Sequence, residues 1–259
     1  MTPVALSIAG SDPSGGAGIQ ADLKTFQRFG VYGEAVITLL TVQNTQGVRR
    51  VEILSPELVA DQISAVVDDI PPAAAKVGAL GNRAIVQAVA RAARDFRFPL
   101  VVDPVMVSKN GAIMMDAEAL RAFADELLPR AFLLTPNLPE AAGLAGFAVR
   151  DRDAMIRAAE KARALGAANV LVKGGHLEGD AVDILLMANG EFREFPAPRI
   201  PTAHTHGTGC TYSAAIAAGL ARGQELADAV ACAKAFITEA IRTAPGLGRG
   251  SGPLNHFAR

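Results

Sequence analysis

The sequence predicts an α/β protein in which helices cover both faces of a mostly parallel sheet. Short apolar runs alternate with amphipathic stretches along the chain, a pattern typical of parallel strands joined by helical crossovers. Hydrophobic residues make up 50% of the chain, which is enough to form a sizeable core. No internal repeat or linker-like stretch divides the chain, so residues 1–259 are predicted to form a single domain.

A polar loop separates the first predicted strand, residues 4–9, from the first predicted helix, residues 19–29. The strand is a short, wholly apolar run, as expected for a buried strand. In the helix, Ile19, Leu23 and Phe26 share one face at helical spacing. The loop is rich in Gly, Ser, Asp and Pro, which are the residues that interrupt regular structure.

The later elements follow from the same two patterns. Further apolar runs are predicted to be strands at residues 35–42, 75–80, 100–102, 132–135, 170–172, 182–187 and 192–195. Further stretches with helical spacing are predicted to be helices at residues 56–70, 83–96, 117–128, 153–165, 209–222 and 226–242. The pair Asn189-Gly190 predicts a hairpin between the last two strands. The tail after Ala244, rich in Gly, Pro and Arg, is expected to be a frayed end.

Composition excludes several classes of function. The formal net charge of −1 argues against a nucleic-acid partner and against a polybasic membrane patch. Cys210 and Cys232 lie far apart and have no metal-ligand spacing, so a disulfide scaffold is not expected. The sequence shows neither a signal peptide nor a long uncharged apolar run. A soluble protein of the cytoplasm, without nucleic-acid or membrane partners, is therefore predicted.

Polar residues follow four of the predicted strands, namely Gln43, Asp103, Asn137 and Lys173. Ligands of open parallel sheets bind at the carboxyl ends of the strands, so these side chains are predicted to line one site. Asp103 and Glu140 offer oxygens for Mg²⁺, and Lys173 suits phosphate oxygens. One such residue would be an ordinary helix cap, but the group as a whole favours a nucleoside triphosphate site.

A glycine turn at residues 207–210 precedes the predicted helix 209–222. Gly207 and Gly209 allow close approach of the backbone to a ligand, and Thr208 lies between them. The first N–H groups of a helix, at the positive end of its dipole, bind anions. A thiol at that place, Cys210, is expected to have a lowered pKa. The turn predicts an anion cradle beside a candidate base, and the alternative is a packing turn with a small buried cysteine.

Three other polar residues have both a structural and a functional interpretation. Lys234 has apolar helical neighbours, Val230 and Ile237, so it is either a lysine that extends along an apolar face or a nucleotide contact. His204 and His206 have no third ligand nearby in the sequence. They are predicted to be turn residues rather than a metal site.

Two glycine patterns begin like nucleotide-binding motifs and then depart from them. The pattern that starts at Gly16 resembles a dinucleotide fingerprint, but the loop before it is too long and no acidic residue ends the next strand. The pattern that starts at Gly10 resembles a P-loop, but Gly16-Ala17 stands where Lys and Ser or Thr are required. A kinase of this sequence would therefore not be a P-loop kinase.

Six segments of the chain form a recognisable set when they are taken together. They are residues 8–24 (IAGSDPSGGAGIQADLK), 41–45 (TVQNT), 102–106 (VDPVM), 135–140 (TPNLPE), 172–176 (VKGGH) and 204–211 (HTHGTGCT). The set resembles the bacterial hydroxymethylpyrimidine/phosphomethylpyrimidine kinases of thiamine synthesis, members of the ribokinase-like superfamily. The resemblance covers nearly the whole chain in order, and the combination of motifs is highly specific although each motif alone is not.

The resemblance implies a three-layer α/β/α sandwich and two successive phosphoryl transfers from ATP with Mg²⁺, first to the pyrimidine alcohol and then to its monophosphate. It also implies that the family's homodimeric state applies here. The residues it assigns to the aminopyrimidine are Asp22, Gln43, Gly10 and Ala17. Those it assigns to nucleotide and metal are Asn137, Glu140 and Lys173, with Asp103 nearby, and Lys234 is a further nucleotide candidate. Gly207, Thr208, Gly209 and Cys210 would form the anion hole, with Cys210 where most ribokinase-like sugar kinases place an aspartate base.

Two other functions remain open from the sequence. Some pyridoxal kinases share this fold and the Gly-Thr-Gly-Cys turn, and residues 43–45 (QNT) argue against them, because an amide suits the amine and ring nitrogen of an aminopyrimidine. A non-catalytic pyrimidine- or nucleotide-binding protein is the second alternative. Every expected reactive position is filled, which favours an enzyme.

Overall fold

The computed structural model describes residues 2–107, 111–175 and 179–258. Within these ranges one sheet contains β1 (Val4–Ser11), β2 (Tyr32–Asn44), β3 (Gly47–Ile53), β4 (Ala74–Val77), β5 (Leu100–Val102), β6 (Leu133–Leu134), β7 (Asn169–Val172), β8 (Asp183–Leu186) and β9 (Phe192–Phe195). The α-helices are α1 (Gly18–Arg28), α2 (Pro56–Asp69), α3 (Arg83–Ala92), α4 (Ala117–Ala122), α5 (Leu138–Ala145), α6 (Arg152–Ala164), α7 (Thr208–Ala221) and α8 (Leu226–Arg242).

The sheet is parallel in its centre and antiparallel at both edges. Its strand order is β3-β2-β1-β4-β5-β6-β7-β8-β9, and the strands from β2 to β7 pair in parallel. At the edges, β3 runs antiparallel to β2, and β8 and β9 continue antiparallel from β7. The chain leaves β1 toward β2 on one side and returns to β4 on the other. A crevice is therefore expected at the carboxyl ends of β1 and β4.

Alternate residues of the central strands face opposite helical layers. In β1, Leu6 and Ile8 pack into the apolar cluster that contains α2 to α6, whereas Ala5 packs into the cluster that contains α1, α7 and α8. The same alternation divides Val101 from Val102 in β5. Because both faces are buried, the strands are apolar on both sides, and the predicted α/β/α sandwich is confirmed.

Several helices begin at a side chain that caps the first turn. Ser55, Asn82, Asp116 and Asp151 each accept a hydrogen bond from the backbone N–H three residues later. Such caps stabilise a protein by about 1 kcal/mol each. They fix where the helices start, and hence where the preceding loops leave the sheet.

Two elements of the structure were absent from the prediction, β3 and α5. The carboxyl half of the predicted helix 117–128 is also different, because α4 continues as a π-helical turn, Phe123–Leu127, and a 3-10 turn, Leu128–Arg130. The other predicted helices and strands are present, with ends that differ by up to four residues. In the described ranges, no helix has the length and apolar character needed to cross a membrane.

The end of the chain is packed rather than frayed, so that prediction was wrong. Residues 250–258 form a C-terminal segment in which Leu254 is buried. The N–H of Asn255 donates to the carbonyl of Ala240 at 3.0 Å, and Arg28 Nε donates to the carbonyl of Ala258 at 2.6 Å. The segment therefore lies across α1 and α8, and it reaches the loop that precedes α7.

Candidate active site

The predicted charged residues meet at the carboxyl ends of the central strands. Asp103 directly follows β5, and Lys173 directly follows β7. Lys173 Nζ lies 2.7 Å from Asp103 Oδ1, and the Thr135 hydroxyl donates to the same oxygen at 3.2 Å. Burial alone would lower the pKa of Lys173, but Asp103 and Glu140 raise it, so the ammonium stays charged. The carboxyl ends of the central strands, called the sheet edge below, therefore carry a cation beside two carboxyl groups.

Asn137 and Glu140 are held together at the start of α5. Asn137 Oδ1 accepts from the Glu140 N–H at 2.9 Å, and Glu140 Oε2 accepts from the Asn137 N–H at 2.8 Å. This reciprocal arrangement is a capping box. Burial raises the pKa of Glu140 to about 7, Lys173 opposes the shift and Asp103 adds to it. Asn137 thus aims the carboxyl of Glu140 at the charged pair, and its own amide oxygen is occupied by the cap.

The anion turn, residues 207–210, lies directly over the charged pair. A Cβ added to Gly209 would be 3.2 Å from Asp103 Oδ2 and 3.3 Å from Lys173 Nζ. Gly207 has a φ of +80°, the left-handed region that favours glycine. Thr208 donates its hydroxyl to the carbonyl of Thr205 at 2.8 Å, which fixes the entry to α7. The N–H of Thr208 donates to the carbonyl of Thr205 at 3.3 Å, whereas those of Gly209 and Cys210 have no acceptor within the helix, so the turn offers these two donors above Lys173.

The pKa of Cys210 differs from the value expected for a thiol at a helix N-terminus. Burial raises the pKa of Cys210 above its ordinary value, Lys76 opposes the shift, and Asp22 and Asp103 add to it. The predicted lowering of this pKa was therefore wrong, because desolvation and two nearby carboxyl groups outweigh the cation. The sulfur also accepts a hydrogen bond from the N–H of Gly18. Cys210 lies where the prediction placed it, but as a thiol rather than a ready thiolate.

Asp22 lies beneath the site instead of facing its ligand space. Its side chain is 0% exposed, and Oδ2 accepts from Lys76 Nζ at 2.8 Å and from Ser7 Oγ at 2.6 Å. Within the described part of the chain, its other oxygen has no partner. The predicted contact of Asp22 with the pyrimidine stays a prediction, and in the structure the carboxylate is buried beneath the site. Its role is to neutralise the buried Lys76.

The acceptor loop, residues 10–18, is organised by a residue that the prediction did not single out. Asp12 Oδ2 accepts from the Ala17 N–H at 2.9 Å, and the Gln43 side chain also donates to Asp12. A Cβ added to Gly10 would lie 2.6 Å from Leu39 Cδ1, so only glycine fits there. Gly10, Ala17 and Gln43 lie at the carboxyl ends of β1 and β2, and their predicted contact with the pyrimidine stays a prediction.

Known proteins resemble this chain in sequence and in fold. A sequence profile of the family described as phosphomethylpyrimidine kinase matches residues 12–255. The chain belongs to this family.

Curated relatives agree with the family assignment. Over 100% of this chain and 98% of its own length, the hydroxymethylpyrimidine/phosphomethylpyrimidine kinase of Rhizobium meliloti is 50% identical. A thiamine biosynthesis bifunctional protein of Geobacter sulfurreducens is 50% identical over 97% of this chain. The chain spans about half of that bifunctional protein, 52% of its length.

Solved structures confirm the ribokinase-like architecture of the family. An ADP complex of Bacillus subtilis pyridoxal kinase superposes with a TM-score of 0.91 at 38% identity, covering 100% of this chain and 98% of that one. The phosphomethylpyrimidine kinase of Clostridium difficile superposes with a TM-score of 0.82 at 45% identity, covering 92% of this chain and 99% of that one. Kinases that are named for two different ring substrates thus share this fold. The substrate of this chain must therefore be inferred from the residues of the site.

Lys234 has protein partners in the structure. Its Nζ lies 2.7 Å from Asp183 Oδ2 and donates to the carbonyl of Ala181 at 2.8 Å. Asp183 Oδ1 in turn accepts from the N–H of Gly174, next to Lys173. The stem of Lys234 lines a groove of about 410 Å³ between α8 and the chain that follows β9. The predicted nucleotide contact of Lys234 stays a prediction, and the ammonium itself fixes the loop after β7.

The sequence analysis did not single out Asp12 or Lys76 as functional candidates, and it interpreted His206 only as a turn residue. Lys76 is fully buried; burial alone would lower its pKa, but Asp22, Cys210 and Asp103 raise it. Asp12 and His206 are joined across the acceptor loop and the anion turn. The signal for Lys76 was a lysine inside an apolar strand, which only a buried partner can stabilise. For the other two, the pairing depends on tertiary structure. His176, which ends the fifth motif, lies outside the described residues.

Proposed function

We propose that this chain transfers a phosphoryl group from ATP to the alcohol of 4-amino-5-hydroxymethyl-2-methylpyrimidine, and a second one to the resulting monophosphate. The observation that carries the proposal is the anion turn lying over Lys173 and Asp103, with the amide of Gln43 beside the acceptor loop. The printed name of the Rhizobium meliloti relative, which matches the chain over its whole length, supports both steps.

In the first step the alcohol oxygen forms a bond to the γ-phosphorus, and the bond from that phosphorus to the bridging oxygen of ADP breaks. The alcohol proton passes to a base during the same step, and the thiolate form of Cys210 is the candidate for that base. Developing charge on the phosphoryl oxygens lies beside the N–H groups of Gly209 and Cys210 and the ammonium of Lys173. Preorganised donors of this kind stabilise the transition state by roughly 3–4 kcal/mol each.

Magnesium fits the acidic residues of this site. Asp103 and Glu140 offer oxygens at the carboxyl ends of the strands, where burial and then the charge of Asp103 raise the pKa of Glu140. Mg²⁺ commonly uses one or two carboxylates and completes its shell with water and phosphate oxygens. In the described residues no group of three His, Cys, Asp or Glu side chains forms a metal cluster. When bound with ATP, the ion would neutralise phosphate charge.

Gln43 decides between the two rings in this proposal. Its side chain donates to Asp12 at the acceptor loop, which supports a role for its amide beside the ring. An amide provides one donor face and one acceptor face, which match the exocyclic amine and a ring nitrogen of an aminopyrimidine. The alternative function is phosphorylation of pyridoxal, and the structural similarity to the Bacillus subtilis pyridoxal kinase supports it.

A substrate panel tests the function directly. The wild-type protein, with Mg²⁺ and ATP, is assayed for ADP release with hydroxymethylpyrimidine, its monophosphate and pyridoxal. Gln43→Met should raise the free energy of the pyrimidine transition state by about 1–3 kcal/mol per buried polar group left unpaired. It should affect pyridoxal less. Turnover of pyridoxal alone would replace the proposed function, and binding without any turnover would favour a non-catalytic protein.

The protein is also proposed to act as a homodimer in the cytoplasm. Leu40 and Val42 are 44% and 53% exposed on one face of β2, beside the edge strand β3. Such an exposed apolar patch suits a second copy of the chain. The use of ATP and the unpaired cysteines Cys210 and Cys232 favour the cytoplasm. Sedimentation of the protein, with Val42→Lys as the disrupting variant, would give its mass in solution.

A further inference from the structure

One buried side-chain contact joins the acceptor loop to the residue that precedes the anion turn. His206 Nε2 lies 2.8 Å from Asp12 Oδ2, and the two side chains are 8% and 2% exposed. A carboxylate only accepts hydrogen bonds, so the hydrogen must lie on Nε2 of His206. The two residues are 194 positions apart in the sequence, and the contact therefore ties distant parts of the chain together.

Asp12 is the centre of the acceptor loop's hydrogen bonds. Its two oxygens accept from Ser14 at 2.8 Å and 2.7 Å, from the Gly16 N–H at 3.2 Å and from the Ala17 N–H at 2.9 Å. The side chain of Gln43 donates to it as well. Burial alone would raise the pKa of Asp12, but the hydrogen bonds from His206, Ser14 and Gln43 lower it well below its ordinary value. The carboxylate is thus a charged acceptor that sets the shape of the loop.

His206 is fixed from the opposite side. Its backbone N–H donates to the carbonyl of Gly252 at 3.1 Å, in the C-terminal segment. A Cβ added to Gly16 would lie 2.5 Å from His206 Cδ2, and a Cβ added to Gly207 would overlap the carbonyl oxygen of Gly16. The acceptor loop and the start of α7 are therefore in direct contact, and neither can shift without moving the other.

We propose that Asp12 and His206 are a positioning pair that holds the acceptor loop in register with the anion turn. The pair touches neither reacting atom. It acts through Gln43 and Ala17 on the acceptor side, and through Gly207 on the phosphoryl side. The proposal deepens the proposed function, because it explains how a ring bound at the loop is aligned with a phosphoryl group at the turn. Misplacement of reacting groups by about 1 Å can cost on the order of 100-fold in rate.

The test measures kcat and KM for each acceptor that the wild-type protein turns over. His206→Ala removes the donor, Asp12→Asn removes the charged acceptor, and His206→Gln places an amide donor near the position of Nε2. We expect His206→Ala to lose about 10- to 100-fold in kcat/KM, with a fall in kcat. His206→Gln should recover activity to within about 3-fold. The double variant Asp12→Asn/His206→Ala should lose no more than the worse single variant, because residues that act as one unit are not additive.

A second buried histidine provides the matched control. His256 lies 3.1 Å from Thr211 Oγ1 in α7, and it does not bridge to the acceptor loop. His256→Ala should lower the melting temperature while kcat/KM of the folded protein stays within about 3-fold of wild type. Equal kinetic losses in the two histidine variants would overturn the proposal, since both would then be packing defects.

Other outcomes also decide the matter. A folded His206→Ala with wild-type kcat/KM, or strictly additive losses in the double variant, would contradict coupling. If His206→Ala does not fold, the comparison of Asp12→Asn with His206→Gln still decides, because only a positioning pair predicts a kinetic loss in the first and recovery in the second. Failure of the proposed function has a different signature, since the wild type would then turn over pyridoxal and not the pyrimidine, and the same variants would be measured with pyridoxal.

Discussion

Two aspartate–lysine pairs lie near the start of α7, and they differ in access to solvent. Lys76 and Asp22 are 2.8 Å apart, and both side chains are 0% exposed. Lys173 and Asp103 are 2.7 Å apart, with side chains 12% and 4% exposed. The first pair lies inside the protein between β4 and α1, whereas the second lies at the sheet edge under Gly209. The same two residue types therefore occupy a sealed position and an open one.

Access determines what each pair can do. A sealed ion pair cannot exchange partners, so its charges neutralise one another and hold the surrounding elements in place. At the sheet edge, Lys173 can instead turn to a phosphate oxygen, and Asp103 can turn to a hydrated cation. A charged residue in a strand or at its end is thus informative only when its burial is known. The comparison predicts that the sealed pair determines stability and the open pair determines catalysis.

Loss of the sealed lysine should have the largest effect. Lys76→Met keeps the side-chain volume and leaves Asp22 buried without its cation, which typically costs about 3–5 kcal/mol. Urea unfolding should show this loss in the free energy of unfolding. The double variant Asp22→Asn/Lys76→Met removes both charges and should recover most of the stability. A loss below about 1 kcal/mol in the single variant would mean that Asp22 is not held as a carboxylate by Lys76.

Loss of the open lysine should affect catalysis more than stability. Lys173→Met removes the cation beside the anion turn and should lower kcat by about 10²–10³-fold, the usual cost of one transition-state donor. The alcohol and the monophosphate should lose equally, because the phosphoryl donor is common to both steps. Urea unfolding should show a smaller loss of stability than in Lys76→Met. Wild-type turnover in folded Lys173→Met would remove this lysine from the mechanism.

The sequence was informative where chemistry follows directly from a strand end. Asp103, Asn137 and Lys173 come straight after apolar runs, and the structure brings all three to one sheet edge. It was less informative where burial decides. Asp22 belongs to a recognised motif, yet its carboxylate faces Lys76, and no local pattern reports that a helix side chain meets a strand four elements later.

Two missed features had different causes. Helix α5 had a readable signal, because Asn137 and Glu140 are spaced as a capping box around a proline. The C-terminal segment had none, because its Gly, Ser and Pro residues are typical of a mobile end. Its order comes from contacts with residues 45, 203, 206 and 240, which only the fold brings near.

Cys210 lies close to members of both ion pairs, so charges from both pairs act on its thiol. Burial, Asp22 and Asp103 raise the pKa of its thiol, and Lys76 lowers it, so little thiolate is present at neutral pH. If Cys210 accepts the alcohol proton, Cys210→Ala should slow the alcohol step by roughly 10²-fold. The monophosphate is already anionic and should be affected less. Wild-type transfer to the alcohol should also increase as pH rises above neutral.

Single-turnover transfer to each acceptor at several pH values measures this difference. The wild type and Cys210→Ala are compared at equal folded concentration, since the backbone donors of the anion turn remain in both. Equal losses in the two steps would show that the side chain shapes the anion hole and accepts no proton. No loss in either step would leave Cys210 as a packing residue.

Glu34 in β2 is a further buried carboxyl group, with no lysine partner in the described residues, and its variant should give the smallest effect. One of its oxygens is buried without a partner in the described residues, and burial, with Asp69 nearby, raises its pKa from 4.5 to about 7. The folded state therefore binds this proton more tightly than the unfolded state, so stability falls as pH rises between those values. Below pH 4.5 the group contributes nothing, and above about pH 7 the destabilisation is complete. Glu34→Gln should be more stable than wild type by about 1–2 kcal/mol at pH 8. This gain is smaller than the full pKa shift implies, because water partly reaches the carboxyl group. At pH 4.5 the variant and the wild type should have nearly equal stability. Urea unfolding at both pH values measures the difference, with the exposed Glu160→Gln as the control for removing one surface charge. A stability gain that is the same at both pH values would show that Glu34 titrates normally, and that a carboxyl group in this sheet does not need a lysine to stay charged.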